Sequence, residues 1–196
     1  METGLPVEQF DYDDEYLRNE GRRRADCERS NYFPLWKQLV NLIRSVGVPE
    51  RPDVLEIGCG SGQLAQLLLR EFDPEYVGVD RSSVAIRWAK ELNPGDADRF
   101  VLGRVEDQKA LLGRSWWAVI AMEALEHLVD DLSVLARLRR GTRVFFSVPT
   151  FTHPSHARYF TSEVETREYY ERKLSIRYIE PVAVGRGLWL CAGATQ

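Results

Sequence analysis

The chain has 196 residues, 44% of them hydrophobic, enough to bury one sizeable core and close to the length of a single domain. Its formal charge of −4 comes from 26 basic and 30 acidic residues mixed along the chain, so no global positive field draws it to long nucleic acid. The three cysteines, Cys27, Cys59 and Cys191, stand far apart without a C-x-x-C pair, which argues against a disulfide framework or a structural zinc and for a reducing, cytoplasmic setting.

Residues 1–30 are polar, with an acidic block followed by the basic "GRRR", and core formation is not expected there. The acidic start lacks the basic-then-apolar order of a signal peptide. No later stretch approaches the roughly 18 apolar residues of a membrane span, so a soluble protein without a membrane partner is expected. From Asn31, Trp36, Leu39, Val40 and Ile43 recur at helical spacing, with Gly47 as the stop. Beyond "VPERP", apolar runs rich in β-branched residues alternate with helical patterns. Strands are expected at 53–57, 75–80, 99–103, 116–122 and 142–149, and helices at 62–72, 83–92, 106–113 and 131–140. Such alternation predicts an α/β fold: a parallel sheet covered by helices on both faces. A helix near 161–172 then precedes "LSIRYIEPV" and "GLWLCAG", joined by the turn-prone "AVGRG", which predicts a final hairpin with an antiparallel strand at one edge. The expected organisation is one domain over 1–196, with a helical cap over 1–50 and a ligand-binding core over 51–196.

The stretch "VLEIGCGSGQL" places Gly58, Gly60 and Gly62 in a turn between a strand and a helix, where glycine lets backbone N–H groups approach a ligand closely. The plain alternative is a tight turn with no ligand. The spacing is G-x-G-x-G rather than the dinucleotide fingerprint. An acid, Glu56, stands two residues before the first glycine, a poor neighbour for a pyrophosphate and a good one for a cationic, amino-acid-bearing ligand. Asp80, eighteen residues past Gly62, closes the second strand. Alone it reads as a solvated turn residue or a helix cap; paired with the glycine loop it reads as an acceptor for both hydroxyls of a ribose.

Through "VLEIGCGSGQL", "YVGVDRS" and "VIAMEALEHL", and through the alternating layout from about 52 to 194, the sequence resembles the class I S-adenosylmethionine-dependent methyltransferases. The resemblance implies a Rossmann-like three-layer sandwich with a seven-stranded, mostly parallel sheet. It implies that Gly58, Cys59, Gly60 and Gly62 wrap the methionine part of S-adenosylmethionine, with Glu56 near its ammonium. Asp80 would hold the ribose diol, Arg81 would flank the adenine, Val105 and Glu106 would read its edge, and Met122 would border the cleft. Many relatives carry an acid where Arg104 stands, so Glu106 or Asp107 is the contact that remains.

The strand 116–122 ends in "EALEHL", so Glu123, Glu126 and His127 are expected at the mouth of the cleft, where open α/β sheets bind ligands. If the segment is helical, all three share one side. Three readings stay open. Glu126 and His127 cap or support while the enzyme works by proximity; His127 is a general base for an acceptor proton; or Glu123, Glu126 and His127 hold a divalent ion together with a histidine from "PTFTHPSHARYFT". E-x-x-E-H followed by a later histidine is similar to the metal sites of small-RNA 3′-end 2′-O-methyltransferases and of ubiquinone-pathway O-methyltransferases. That narrower resemblance implies His156, with His153 as alternate, as the fourth ligand of magnesium, manganese or zinc. Tyr12, Tyr16, Tyr32, Phe33 and Trp36 form an aromatic stretch suited to close over a planar acceptor; the alternative is packing of the first helix. "GRRR" reads as a solvated charge run.

The function expected from these signals is methyl transfer from S-adenosylmethionine to a hydroxyl of a small molecule, with Glu126 and His127 in the catalytic roles. The runner-up is 2′-O-methylation of an RNA 3′-terminal ribose. A reading of another class is a cofactor-binding regulatory partner without transferase activity, and an NAD-dependent oxidoreductase is a further competitor.

Overall fold

The computed structural model describes residues 10–196; the start of the acidic N-terminal stretch, residues 1–9, lies outside the described range. Along β1 (Asp53–Ile57), β4 (Ala118–Ala121) and β5 (Arg143–Pro149) nearly every residue is buried, the pattern of strands covered on both faces. Successive side chains therefore feed two separate cores. Val54, Ile120 and Phe145 pack on one face with α3 (Phe33–Ser45), α4 (Gln63–Phe72) and α5 (Ser83–Leu92). Leu55, Val119 and Phe146 pack on the other with α6 (Lys109–Leu112), α7 (Asp131–Leu135) and α8 (Glu163–Tyr170).

With β2 (Glu75–Asp80), β3 (Phe100–Leu102), β6 (Leu174–Val182) and β7 (Leu188–Thr195), the sheet has seven strands in the order β3-β2-β1-β4-β5-β7-β6. The first five are parallel, and β7 runs antiparallel to both β5 and β6. The Rossmann-like sandwich expected from the sequence thus forms. The reversed strand, however, lies one place in from the edge. The crossover through α8 carries β6 to the outer position, and the hairpin returns β7 into the gap. The connections from β1 lead outward to β2 and β3 and then cross back to β4, so the carboxyl ends of β1 and β4 flank an open crevice.

Several expected helices are shorter. The run 106–113 divides into a 3-10 turn at Val105–Asp107 and the single turn of α6. The helix expected over 131–140 ends at Leu135, because the chain beyond is drawn to β7 by bonds from Gly141 N to Thr195 O and from Thr142 N to Thr195 Oγ1. Conversely, the polar N-terminal stretch is ordered into α1 (Tyr12–Arg18) and α2 (Glu20–Arg23). Asp11 caps α1 by accepting from Asp14 N, and Asp13, Asp14 and Glu15 complement the positive end of its first turn. Cys27, in a segment not expected to enter a core, is fully buried. All three cysteines are free. Among the described residues no helix is long and apolar enough to cross a membrane.

Phe146 is fully buried, with its ring centroid 4.6 Å from that of Tyr170. Phe146→Ala is expected to lower the unfolding free energy by about 3–5 kcal/mol in urea titrations followed by circular dichroism. A loss under about 1 kcal/mol would contradict the close packing of the second core.

Candidate active site

The crevice at the ends of β1 and β4 opens into a cleft of about 310 Å³. Its floor is the glycine loop. Gly58 N and Cys59 N both donate to the Val79 carbonyl, at 2.8 and 3.1 Å, which folds the loop back against the end of β2. Gly58 has φ +71°, and a Cβ there would stand 2.7 Å from that of Ala124, so only glycine lets this loop meet the chain leaving β4. Asp80 is held by two backbone donors: Gly60 N to Oδ2 at 2.9 Å and Ser82 N to Oδ1 at 2.8 Å. Burial raises its pKa against the lowering effect of those bonds. Glu56 is buried, and its Oε2 accepts from the Tyr76 hydroxyl at 2.5 Å. Burial nevertheless pushes its pKa up to about 8.

Of the residues assigned to the cofactor by resemblance, Glu56, Gly58, Cys59, Gly60, Asp80, Arg81, Val105, Glu106 and Met122 line the cleft. Gly62 does not. It precedes α4 at φ +76°, where an added Cβ would lie 3.0 Å from the Ala89 backbone and 2.7 Å from Asn93 Nδ2. Helix packing by itself therefore requires glycine at this position. Asp107 is also absent from the lining, whereas Glu106 lines it and is paired with Arg104 at 3.1 Å.

The segment after β4 is not an α-helix, the condition under which Glu123, Glu126 and His127 would have shared one side. Glu123 adopts φ +53°, uncommon for a non-glycine residue, and a 3-10 turn follows at Leu125–His127. Glu123 is locked to β5: its N–H donates to Ser147 Oγ at 2.8 Å, and that hydroxyl donates to Glu123 Oε1 at 2.9 Å. Glu126 is fully buried, and both carboxylate oxygens lack a hydrogen-bond partner among the described residues. Burial, then the charge of Glu123, drives the Glu126 pKa well upward, and burial raises that of Glu123 as well.

Glu126, His127 and His156 offer ligand atoms that all lie within 4.8 Å of one another. Glu123 stands beside this group rather than in it. Both imidazoles are neutral, since burial lowers the pKa of each to about 4. His127 Nδ1 lies 2.8 Å from the Ser155 carbonyl and His156 Nδ1 lies 3.3 Å from that of Phe151. A carbonyl only accepts, so each Nδ1 carries the hydrogen and each Nε2 presents a lone pair. His127 Nε2 is 4.0 Å from Glu126 Oε1. His153 is the reverse, because its Nδ1 accepts from Ser155 N at 3.3 Å. Of the two histidines weighed from the sequence, His156 is therefore the one with a free Nε2.

The N-terminal helices roof the cleft. Asp13 accepts from Ser82 Oγ (2.6 Å), Ser83 Oγ (2.7 Å) and Val84 N (3.2 Å), fastening α1 to the start of α5. Gln63 Nε2 donates to the carbonyls of Arg22 and Ala25. Tyr12 lies edge-on to His127 at 5.6 Å, with the Arg81 guanidinium 4.9 Å from its ring centre. Tyr16, Tyr32 and Trp36 line the same space, while Phe33 packs against the core instead. One residue of "GRRR" is not a solvated charge: Arg23 is half-buried in the lining, 5.3 Å from the Tyr16 ring centre. It lies on α2, beyond the break at Asn19 that ends the helix of Tyr16, so no helical spacing marks it out in the sequence. Ser147, which orients Glu123, had no signal in the sequence.

A family model described as a methyltransferase domain matches residues 28–181. The chain is similar to the ubiquinone biosynthesis O-methyltransferase of Vibrio parahaemolyticus, 32% identical over 120 residues that cover 55% of this chain and 51% of that protein. It spans about half the length of the curated relatives it matches. Among solved structures it is similar to magnesium protoporphyrin IX methyltransferase from Synechocystis PCC 6803 with bound SAM, with a TM-score of 0.73, 16% identity and 100% of each chain covered. It is also similar to the 1,6-didemethyltoxoflavin-N1-methyltransferase of Burkholderia thailandensis, with a TM-score of 0.71, 19% identity, and 97% of this chain and 88% of that chain covered. At such identities the structural likeness speaks for the fold. The chain belongs to the methyltransferase domain family and has the Rossmann-like architecture of the class I S-adenosylmethionine-dependent methyltransferases.

Proposed function

We infer that the chain transfers the methyl group of S-adenosylmethionine to a hydroxyl of a small molecule at a site that takes a divalent cation. The observation that carries this reading is the Glu126 carboxylate, buried with no hydrogen-bond partner among the described residues and facing two neutral imidazoles. A buried carboxylate in that state is costly unless a proton or a cation satisfies it. The histidine tautomers match the second alternative, since metal-bound imidazoles are commonly oriented through a bond from the other nitrogen. With pKa values near 4, His127 and His156 are poor proton acceptors, which disfavours His127 as a metal-free base.

In this reading Asp80 accepts from the ribose hydroxyls and the glycine loop follows the methionine chain. Glu56 faces the ammonium and Arg23 meets the carboxylate. Arg81 and Tyr12 border the adenine end. Glu126, His127 and His156 would hold magnesium, manganese or zinc, with Glu123 positioned beside them by Ser147. A cation bound there supplies Lewis acidity that lowers the pKa of an acceptor hydroxyl. Tyr32, Trp36 and Phe151 would give the acceptor apolar walls, and the roof of α1 and α2 would exclude water during transfer. The name of the Vibrio relative, an O-methyltransferase of ubiquinone biosynthesis, supports a small-molecule hydroxyl over an RNA terminus. The likeness to a chain with bound SAM supports the cofactor.

Titration calorimetry with S-adenosylhomocysteine is expected to show binding, reduced about 10- to 100-fold in Asp80→Ala. No binding to the unmodified chain would overturn the reading. In transfer assays with phenolic and alcoholic acceptors and manganese, both Glu126→Gln and His127→Ala should lose transfer while keeping cofactor affinity, and chelation should do the same. Transfer that survives exhaustive chelation removes the cation from the mechanism.

Glu56 gives a pH test. Its folded pKa of about 8 exceeds that of an unfolded glutamate, so the folded chain retains a proton that the unfolded chain gives up between about pH 4.5 and 8. Stability should fall as pH rises through that window, by up to about 1.4 kcal/mol per pH unit from this group, and the slope should flatten in Glu56→Gln. A cofactor ammonium nearby favours the ionised acid. Binding at pH 7 should therefore release a proton, seen as a heat that varies with buffer ionisation enthalpy and is lost in the same variant.

A further inference from the structure

Behind the cleft, one guanidinium holds the chain that carries Glu126 and His127. Arg158 Nη1 donates to the carbonyls of Leu125 (3.0 Å) and Leu128 (2.7 Å), and Nη2 donates to that of Val129 (2.8 Å). Its charge is met by Asp131, whose Oδ2 lies 3.2 Å from Nη1. Asp131 is fully buried and otherwise saturated: Oδ1 accepts from Leu132 N (2.8 Å) and Tyr169 Oη (2.9 Å), and Oδ2 from Tyr170 Oη (2.9 Å). The Tyr169 ring centre is 5.4 Å from the Arg158 guanidinium. Arg158, Asp131, Tyr169 and Tyr170 are all absent from the cleft lining.

A buried ion pair contributes little net stability compared with apolar packing, and its better-attested use is to specify one arrangement over others. The arrangement here joins two pieces of chain. Residues 125–131 carry Glu126 and His127, and residues 150–158, which contain neither helix nor strand, carry His156. The second piece has no ladder of its own to place it. It is laced to the first by Ala157 N on the Glu126 carbonyl at 2.7 Å, by His127 Nδ1 on the Ser155 carbonyl, and by the three bonds of Arg158. A planar fork that reaches three carbonyls and a carboxylate fixes both distance and direction; an ammonium on a flexible stem fixes neither.

We propose that Arg158, seated by Asp131 and the two tyrosines, is the positioning residue that sets His156 against the Glu126 and His127 pair. It touches neither cofactor nor acceptor. The proposal rests on the reading of that cluster as the place where the acceptor is activated, and on no contact to the glycine loop.

The test uses the full chain with 15N-labelled histidine, whose three imidazoles give separable nitrogen signals. In Arg158→Ala, S-adenosylhomocysteine affinity should stay within about twofold, while manganese affinity and kcat fall about 10- to 100-fold, the usual range for an outer-shell loss at a metal site. The Nδ1–H tautomer of His127 should no longer dominate. Added methylguanidinium should restore kcat in this variant, whereas Arg158→Lys should remain impaired. Should the alanine variant not fold, Tyr169→Phe removes one donor from Asp131 and is expected to shift the same readouts in the same direction, by less. Unchanged histidine tautomers together with wild-type kcat in any folded variant would overturn the proposal. So would a loss of cofactor affinity equal to the loss of kcat, which marks a general scaffold role. If the unmodified chain binds no manganese, the cation reading fails by itself, and the tautomer signals still decide for or against Arg158.

Discussion

The site depends on a single carbonyl. Val79 O receives the N–H groups of both Gly58 and Cys59, and this shared acceptor ties the loop after β1 to the end of β2. Asp80 follows Val79 directly, so the same tie places its carboxylate under Gly60 N. The fold that results sets Gly58 against Ala124, leaving no room for a side chain between the loop and the segment after β4. Loop, Asp80 and acidic segment thus share one origin, the register of β1 against β2 and β4. A change at any of these contacts is felt at all three.

The electrostatics follow from that convergence. Glu56, Asp80, Glu123 and Glu126 all have their pKa values raised by burial; the first three line one cleft and Glu126 is buried behind His127, in a chain whose net charge is only −4. Such a concentration of shielded acids is unfavourable alone and is relieved by positive ligands. A sulfonium with an ammonium group and a divalent ion are the two positive partners that the reading assigns to it. Arg23, entering from the roof, is the cation of the lining that counters both Asp80 and Glu123.

The layered fold was legible because its signal is local: β-branched runs such as "DVLEI" and "WWAVIAM" show burial on both faces without any knowledge of partners. The glycine loop and Asp80 were legible because their spacing is dictated by backbone geometry. Gly62 has a packing requirement that the sequence could not show, since a glycine needed at positive φ against Ala89 looks identical in sequence to one needed by a ligand. What stayed hidden depends on contacts distant in sequence. Ser147 meets Glu123 across the sheet, Arg158 meets Leu125 some thirty positions away, and Arg23 enters the cleft only because Gln63 and Ser61 hold α2 by its carbonyls. The N-terminal stretch was not expected to enter a core because its apolar residues are few; its order comes from caps and side-chain bonds to the core rather than from burial of a stripe.

The placement of β7 has a consequence for how the molecule is made. Because β7 lies between β5 and β6, its two neighbours in the sheet are both synthesised before it. Until β7 emerges from the ribosome, β5 presents an unpaired flank and β6 has no partner at all. Closure of the sheet is thus deferred to a late step that joins segments from Arg143 to Thr195, and the nascent chain carries an exposed strand edge in the interval.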